Sequence, residues 1–338
     1  MKIVATIGPN SNKKEVIEKI IEAGVDGIRL NFSHFNEKEF AVVMNFIQDK
    51  EVKFIADLCG AKVRVYEGIS RSMKIYTNEV VYFCSMDDYE IISAKKGRTC
   101  KIIPLNISSH IFRSNDIKEI SMKDNTMQFE VIKKDKYLLE ARVKNEGIVR
   151  RGKGCNIPNL HRGIARLTEK DKSNIVWAIN HGADFICQSY VENKEEVLEI
   201  RDFINSKADK KKQIQILAKI ETPNGVEAIE EIAAVADGIV IGRGDLTAEC
   251  GLEDAVIRQN KIVKTLRNIN YDKTVIIATH LFDNMIRGEK ALYSEVECIF
   301  NFIDKGISAL MLTGETSIGR KPVEVVRYLN ELIKLYHL

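Results

Sequence analysis

The chain has 338 residues, of which 45% are apolar, and 51 basic residues nearly balance 48 acidic ones for a net charge of +3. That balance excludes a protein built to bind nucleic acid or an anionic membrane surface by charge, and no apolar run approaches the roughly 20 residues of a membrane span. Seven scattered cysteines, odd in number and without a CxxC pair, point to reduced thiols in a cytoplasmic compartment.

The first segment, "KIVATIG", is a β-branched run that stops at Gly8-Pro9, so it reads as a strand and not as a signal peptide. Seven more strand-like runs follow in chain order: "GIRLNFS", "KFIADL", "DFICQS", "QIQILAKIE", "GIVIGRGD", "TVIIATH" and "ALMLTGET". Amphipathic stretches such as "NKKEVIEKIIEAG" and "NKEEVLEIRDFINSK" lie between them. The joints resemble one another: "AGVDGIRL", "HGADFICQ", "VADGIVIG" and "KGISALML" each end a helix, break it, and start a strand. Eight strands alternating with helices predict an α/β fold, a (β/α)8 TIM barrel.

One repeat is interrupted. After "KFIADL" the next helical pattern does not start until about Leu167-Thr168-Glu169-Lys170, and the intervening stretch alternates in the manner of strands. Roughly Val65 to Arg151 is therefore expected to be an inserted all-β, β-barrel-like domain. Residues 1–64 and 152–338 then form the catalytic barrel, and without the insert the chain has the ~250 residues of a bare barrel.

Charged side chains gather at the C-terminal ends of these strands. They include Arg29, Asn31, Ser33 and His34 after the second strand, and Asp57 with Lys62 and Arg64 after the third. Lys219 and Glu221 end the fifth, Arg243 and Asp245 the sixth, Thr279 and His280 the seventh, and Glu315 the eighth. That rim is the catalytic face of such barrels. Glu221 and Asp245 are two hard carboxylates suited to Mg2+ or Mn2+, and there is no His/Cys set for zinc. Lys219, Arg29 and Arg64 would converge with that metal on a shared anion, a phosphoryl group. Gly242 and Gly244 let backbone approach a ligand closely. Neither a Walker motif nor a kinase Gly-rich loop is present.

The motifs "KIVATIGPNS", "GIRLNFSH", "KGCNIP", "LTEKD", "LAKIET", "IVIGRGDL", "IIATH" and "LMLTGET" stand in the order found in pyruvate kinases. The chain resembles that family from Met1 to about Leu335, most specifically in the barrel; the insert matches the family's lid domain. The resemblance implies phosphoryl transfer from phosphoenolpyruvate to ADP, giving pyruvate and ATP in the cytoplasm. It assigns Lys219 to the phosphoryl in flight, Glu221 and Asp245 to the divalent metal, and Arg29 and Arg64 to phosphate. Thr279 falls to the proton path at the enolate carbon, and the amides of Gly244 and Asp245 to the substrate carboxylate. Lys153, His34, Arg64 and Asn31 fall to the nucleotide side. Asn31, Ser33 and Asp57 match a monovalent-cation site.

Departures from the family pattern carry their own expectations. Where potassium-dependent members read roughly "DTKGPEIR", this chain reads "DLCGAKVR", and Lys62 is expected to replace K+ as a tethered cation. Cys59, His280 and Thr313 replace a family lysine, glutamine and serine, and "EKALYSE" replaces "PRPTRAE". That loop helps build the family's subunit contact, so a homodimer is expected more than a tetramer. The chain ends at Leu338, after the eighth helix, so the resemblance implies no C-terminal regulatory domain and no sugar-phosphate effector response. A diverged paralogue with another phosphoryl acceptor or enol-acid substrate is the alternative. The further readings are a metal-dependent aldolase, against which Arg64, Lys153 and the whole insert argue, and a non-catalytic binding protein, against which Lys219, Glu221, Asp245 and Thr279 argue.

Overall fold

The computed structural model describes residues 1–96, 100–122, 125–163, 167–207 and 213–336. The remaining positions of the expected barrel (164–166, 208–212, 337–338) and of the expected insert (97–99, 123–124) lie outside the described residues. Contacts divide the chain into two units: Met1–Gly60, Arg166–Gly244 and Ile257–Leu338 form the first, and Ala61–Ala165 with Asp245–Val256 the second.

In the first unit the eight expected strands are all present, as Lys2–Thr6, Gly27–Asn31, Lys53–Asp57, Phe185–Gln188, Gln215–Ile220, Gly238–Gly242, Thr274–Ala278 and Ala309–Leu312. They pair in parallel in chain order, and the last closes on the first through Lys2↔Ala309 to Ala5↔Leu312. Side chains alternate along each strand. One set (Val4, Ile55, Cys187, Leu217, Val240, Ile276, Met311) packs as a single apolar cluster. The other set, with Ile3, Ile28, Ile186 and Ile239 among it, is equally buried, as a sheet covered on both faces requires. Helices form where the sequence supplies an apolar stripe, a side-chain cap or both. Lys14–Glu22 buries Ile17 and Ile20, and Thr168 caps Glu169–Asn180 through the Asp171 amide. Thr222 caps Pro223–Glu227, where Pro223 occupies the first turn.

The second unit is built on a six-stranded sheet, ordered Cys155–Asn156, Glu119–Met122, Met127–Lys134, Leu139–Val143, Val80–Ser85, Ile102–Leu105. A two-stranded ribbon joins Met73–Ile75 to Gly147–Val149. Its core centres on Phe83 and Phe129, whose rings meet edge to face at 5.1 Å. Where an all-β insert is expected, two short helices accompany the sheet, Tyr89–Lys96 and Ser109–Ser114. Val80–Ser85 and Ile102–Leu105 run parallel, which demands a crossover, and Tyr89–Lys96 lies in it. Only Ile92 of that helix is buried, so it leaves little periodic signal. The expected limits, 65–151, fall inside this unit. Arg64 bridges to Gly154 and the Cys155 amide donates to the Val63 carbonyl, which draws both flanks into the sheet.

Leu217 is fully buried in the barrel's apolar cluster. Leu217→Ala is expected to lower unfolding free energy by about 2–5 kcal/mol, and Leu217→Met by less than about 1.5 kcal/mol. Denaturant titration followed by circular dichroism measures both, and equal effects would show that the site does not pack as described.

Candidate active site

In the first unit, alternation carries the strand that begins at Gln215 from Leu217 in the apolar cluster to Lys219 and then Glu221 on the same face. The same step leads from Ile55 to Asp57. Four charged side chains, Arg29, Asp57, Lys219 and Glu221, are each less than 10% exposed. The Lys219 ammonium donates to Asp57 Oδ2 at 3.0 Å and lies 3.5 Å from Glu221 Oε1. Arg29 donates to the same Asp57 oxygen through Nε and Nη2, both at 2.6 Å, and through Nη1 to Thr6 Oγ1 at 3.0 Å. Ser189 Oγ donates to Asp57 Oδ1. The Tyr190 amide donates to Glu221 Oε2 at 3.0 Å.

Two cations and two carboxylates thus neutralise one another where water is excluded. Burial pushes the Asp57 carboxyl up, but the charges and hydrogen bonds of Lys219 and Arg29 outweigh it and hold it below 3.8. Burial pushes Lys219 down, and the charges of Asp57 and Glu221 overcome this and raise it above its ordinary value. Gly242 is required here: a Cβ would come within 2.6 Å of Glu221 Oε1.

The sixth and seventh strand ends meet through a strained backbone. Thr279 and His280 hold φ of +67° and +54°, an outlying conformation for a β-branched residue. Arg243 secures it, donating to the Thr279 carbonyl through Nε at 3.0 Å and through Nη2. The Arg243 guanidinium itself lies over the Phe302 ring. The Gly244 amide donates to Thr279 Oγ1 at 2.7 Å, and that hydroxyl donates to the Ala278 carbonyl at 2.5 Å. Beyond the turn, the Leu281 and Phe282 amides donate to the fully buried Glu315 carboxylate. His280 Nδ1 lies 2.7 Å from Asp283 Oδ2. That hydrogen bond holds the half-exposed imidazole above its ordinary 6.5, burial opposing it.

At the second strand end, Asn31 caps the turn Phe32–His34 by accepting from the Ser33 amide, with His34 exposed.

The second unit holds the other residues singled out from sequence. Lys62 Nζ donates to Asp245 Oδ1 at 2.5 Å. Arg64 donates to the Gly152 carbonyl, and Lys153 to the Ile148 carbonyl at 2.5 Å. The buried Asn156, Arg162 and Glu249 join the partly exposed Asp245 in a network with little local trace in the sequence. Asn156 sits inside the motif "KGCNIP" and Glu249 four residues after Asp245. Arg162 carried no local signal. Of the expected cation group, Asp57 thus engages Arg29, Lys219 and Ser189, whereas Lys62 engages Asp245. Among the described residues no group of three or more His, Cys, Asp or Glu side chains could hold a metal ion. The candidate ligands Glu221 and Asp245 belong to the first and second units respectively; both offer only hard carboxylate oxygens, the donor type Mg2+ and Mn2+ prefer.

An eight-stranded parallel α/β barrel, opened after its third strand by a β-rich insertion and charged at its strand ends, defines the class. The family description "Pyruvate kinase, barrel domain" matches residues 1–326, and the chain belongs to the pyruvate kinase family. It is 31% identical to a pyruvate kinase of Sporosarcina psychrophila and 32% to one of Bacillus licheniformis, over 98% of this chain and 56% of each relative. It is 32% identical to a pyruvate kinase of Thermotoga maritima, over 98% of this chain and 70% of that one. The chain thus spans little more than half the length of the first two. Among the described residues no helix is long and apolar enough to cross a membrane.

The depressed Asp57 value has a consequence for acid stability. Its contribution is complete above the unfolded value of 3.8 and is lost as pH falls through the lower folded value. Asp57→Asn is expected to cost about 3–5 kcal/mol at pH 7 by leaving buried cations uncompensated, and to flatten the decline in stability below about pH 4. Denaturant midpoints measured from pH 2 to 7 check it; superimposed acid limbs would contradict the assignment.

Proposed function

We propose that this chain transfers the phosphoryl group of phosphoenolpyruvate to ADP, giving pyruvate and ATP, with Mg2+ or Mn2+ and without a requirement for K+. The observation that carries the reading is the Lys219 ammonium, buried and fixed between Asp57 and Glu221 at a barrel strand end. Phosphoryl transfer asks the protein mainly for fixed positive charge around the moving group.

In the reaction, the enol-phosphate P–O bond breaks as a bond forms from phosphorus to a terminal β-phosphate oxygen of ADP. Lys219, kept charged by its two carboxylates, would stabilise the equatorial oxygens of the phosphoryl in flight. Arg29 and Arg64 would hold phosphate oxygens, and Lys153, His34 and Asn31 the nucleotide. Glu221 and Asp245 would hold the divalent cation, with water and substrate supplying its other ligands. When bound, that cation would add Lewis-acid neutralisation of the phosphoryl and enolate charge. The substrate carboxylate would take the amides of Gly244 and Asp245 in the first turn of the helix Arg243–Cys250. The Gly244 N–H would be drawn from Thr279 Oγ1 to that carboxylate, freeing the hydroxyl for the proton path to the enolate carbon. The K+-independent reading rests on Lys62 as a tethered ammonium in the place of a residue of potassium-dependent relatives, although its partner is Asp245 and not Asp57.

His280 favours a second reading, a paralogue with another acceptor or enol acid. It sets an imidazole, paired with Asp283, directly after Thr279.

A coupled pyruvate-release assay with phosphoenolpyruvate, ADP and Mg2+, with and without K+, separates these readings. Equal turnover in both buffers is expected. Stimulation by K+ would keep the transfer and discard Lys62 as its substitute, whereas a folded, inactive protein would favour the second reading. Lys219→Met is expected to keep Mn2+ binding and lose ~10³-fold in kcat; a loss of only a few-fold would remove Lys219 from the transfer step.

A further inference from the structure

Asp245 and Glu249 stand four residues apart on the helix Arg243–Cys250, a spacing that brings both carboxylates to one face. Like charges so placed repel, and here each has its own cation. Lys62 Nζ is 2.5 Å from Asp245 Oδ1, and Arg162 Nη2 is 2.9 Å from Glu249 Oε2. Between the carboxylates lies the Asn156 amide, whose Nδ2 donates to Glu249 Oε1 at 3.0 Å and to Asp245 Oδ1 at 3.4 Å. Its two N–H groups match two acceptors, and this settles which way the carboxamide points. Asn156 is 3% exposed, Arg162 7% and Glu249 1%. The backbone beneath is also fixed, because Asn156 pairs with Ser121 at the sheet edge.

We propose that Asn156, Glu249 and Arg162 are positioning residues for Asp245. The buried Arg162–Glu249 pair holds one side of the Asn156 amide, and the other side, with Lys62, fixes the rotation of the Asp245 carboxylate that receives the divalent cation. The inference rests on the proposed role of Asp245 as a metal ligand. None of the three touches a reacting atom. Their effect passes through one oxygen, Asp245 Oδ1, and the orientation of the second oxygen follows from it. Outer partners of this kind change metal affinity by about 10–100-fold when removed.

A buried ion pair could equally be a fold staple, so the test separates position from stability. Mn2+ affinity is measured directly, by electron paramagnetic resonance titration of free Mn2+ without substrate, beside the thermal midpoint of each variant. Asn156→Leu is expected to weaken Mn2+ binding ~10-fold. Two double variants then share the loss of both charges, which buried pairs tolerate when replaced together. Arg162→Met with Glu249→Gln keeps an acceptor for Asn156 and is expected to bind Mn2+ within ~3-fold of the wild type. Arg162→Met with Glu249→Leu removes that acceptor and is expected to lose ~10-fold at a similar thermal midpoint. Equal Mn2+ affinity in the two double variants, or an unchanged affinity in Asn156→Leu, would overturn the positioning role alone. A folded wild type that binds no Mn2+ would overturn the metal-ligand reading and this inference with it.

Discussion

The first unit depends on one arrangement, an ammonium held between two carboxylates at the end of a buried barrel strand. Removing an ion from water costs several kcal/mol even after relaxation. Lys219, Glu221, Asp57 and Arg29 are all buried. Attraction at about 3 Å offsets this only because charge balances locally and the carboxylates accept further hydrogen bonds. Asp57 takes Arg29, Lys219 and Ser189, and Glu221 takes the Tyr190 amide. The layer beneath, with Leu217, Cys187 and Ile55, is wholly apolar, so the charges cannot sink further into the barrel. Gly242 completes the enclosure, since any side chain there would meet the Glu221 carboxylate. Such a tetrad is near break-even for stability, and the fold's stability comes from the apolar layers on either side of the sheet.

A second constraint is local and strained. The left-handed conformations of Thr279 and His280 turn the chain sharply at the end of the seventh strand. They persist because the Thr279 carbonyl is gripped by Arg243 and the following amides are gathered by Glu315. These holds come from the sixth and eighth strand ends, so three strands cooperate in placing one hydroxyl. The same logic recurs in the second unit with different chemistry, where the groups around Asp245 come from three parts of the chain separated by 89 residues or more.

What could be read in the sequence follows from this division. The barrel was legible because its signal is local and repeated eight times: a short β-branched run, a charged end, an amphipathic helix, a glycine break. Lys219 and Glu221 were legible because alternation alone puts two charges on a face otherwise apolar. The limits of the second unit were not, because Val63 and Arg64 join its sheet through partners near 154 and 155. Tyr89–Lys96 escaped notice for having one buried residue and thus no stripe. Arg162 and Glu249 form their pair across 87 residues, and nothing in either local stretch marks one for the other. Lys62 stands out in the sequence as a substitution but not as the partner of Asp245, for the same reason. Local periodicity fixes elements, whereas charge pairing is a property of the closed fold.

The protonation states of the site divide the labour in the proposed reaction. Lys219 is held above its ordinary value by Asp57 and Glu221, so at neutral pH it stays charged and makes a poor proton donor. In the proposed transfer its contribution would then be electrostatic, strongest where negative charge develops on the phosphoryl oxygens. The proton that converts an enolate to pyruvate has to come from elsewhere. In that proposal Thr279 would relay rather than supply it: its hydroxyl accepts from the Gly244 amide and donates to the Ala278 carbonyl, and its alcohol proton is not acidic. His280, next in sequence, is instead engaged by Asp283, which holds the imidazole above its ordinary value. A fixed cation for the phosphoryl and a separate exchangeable proton for the carbon are what the two halves of this reaction require.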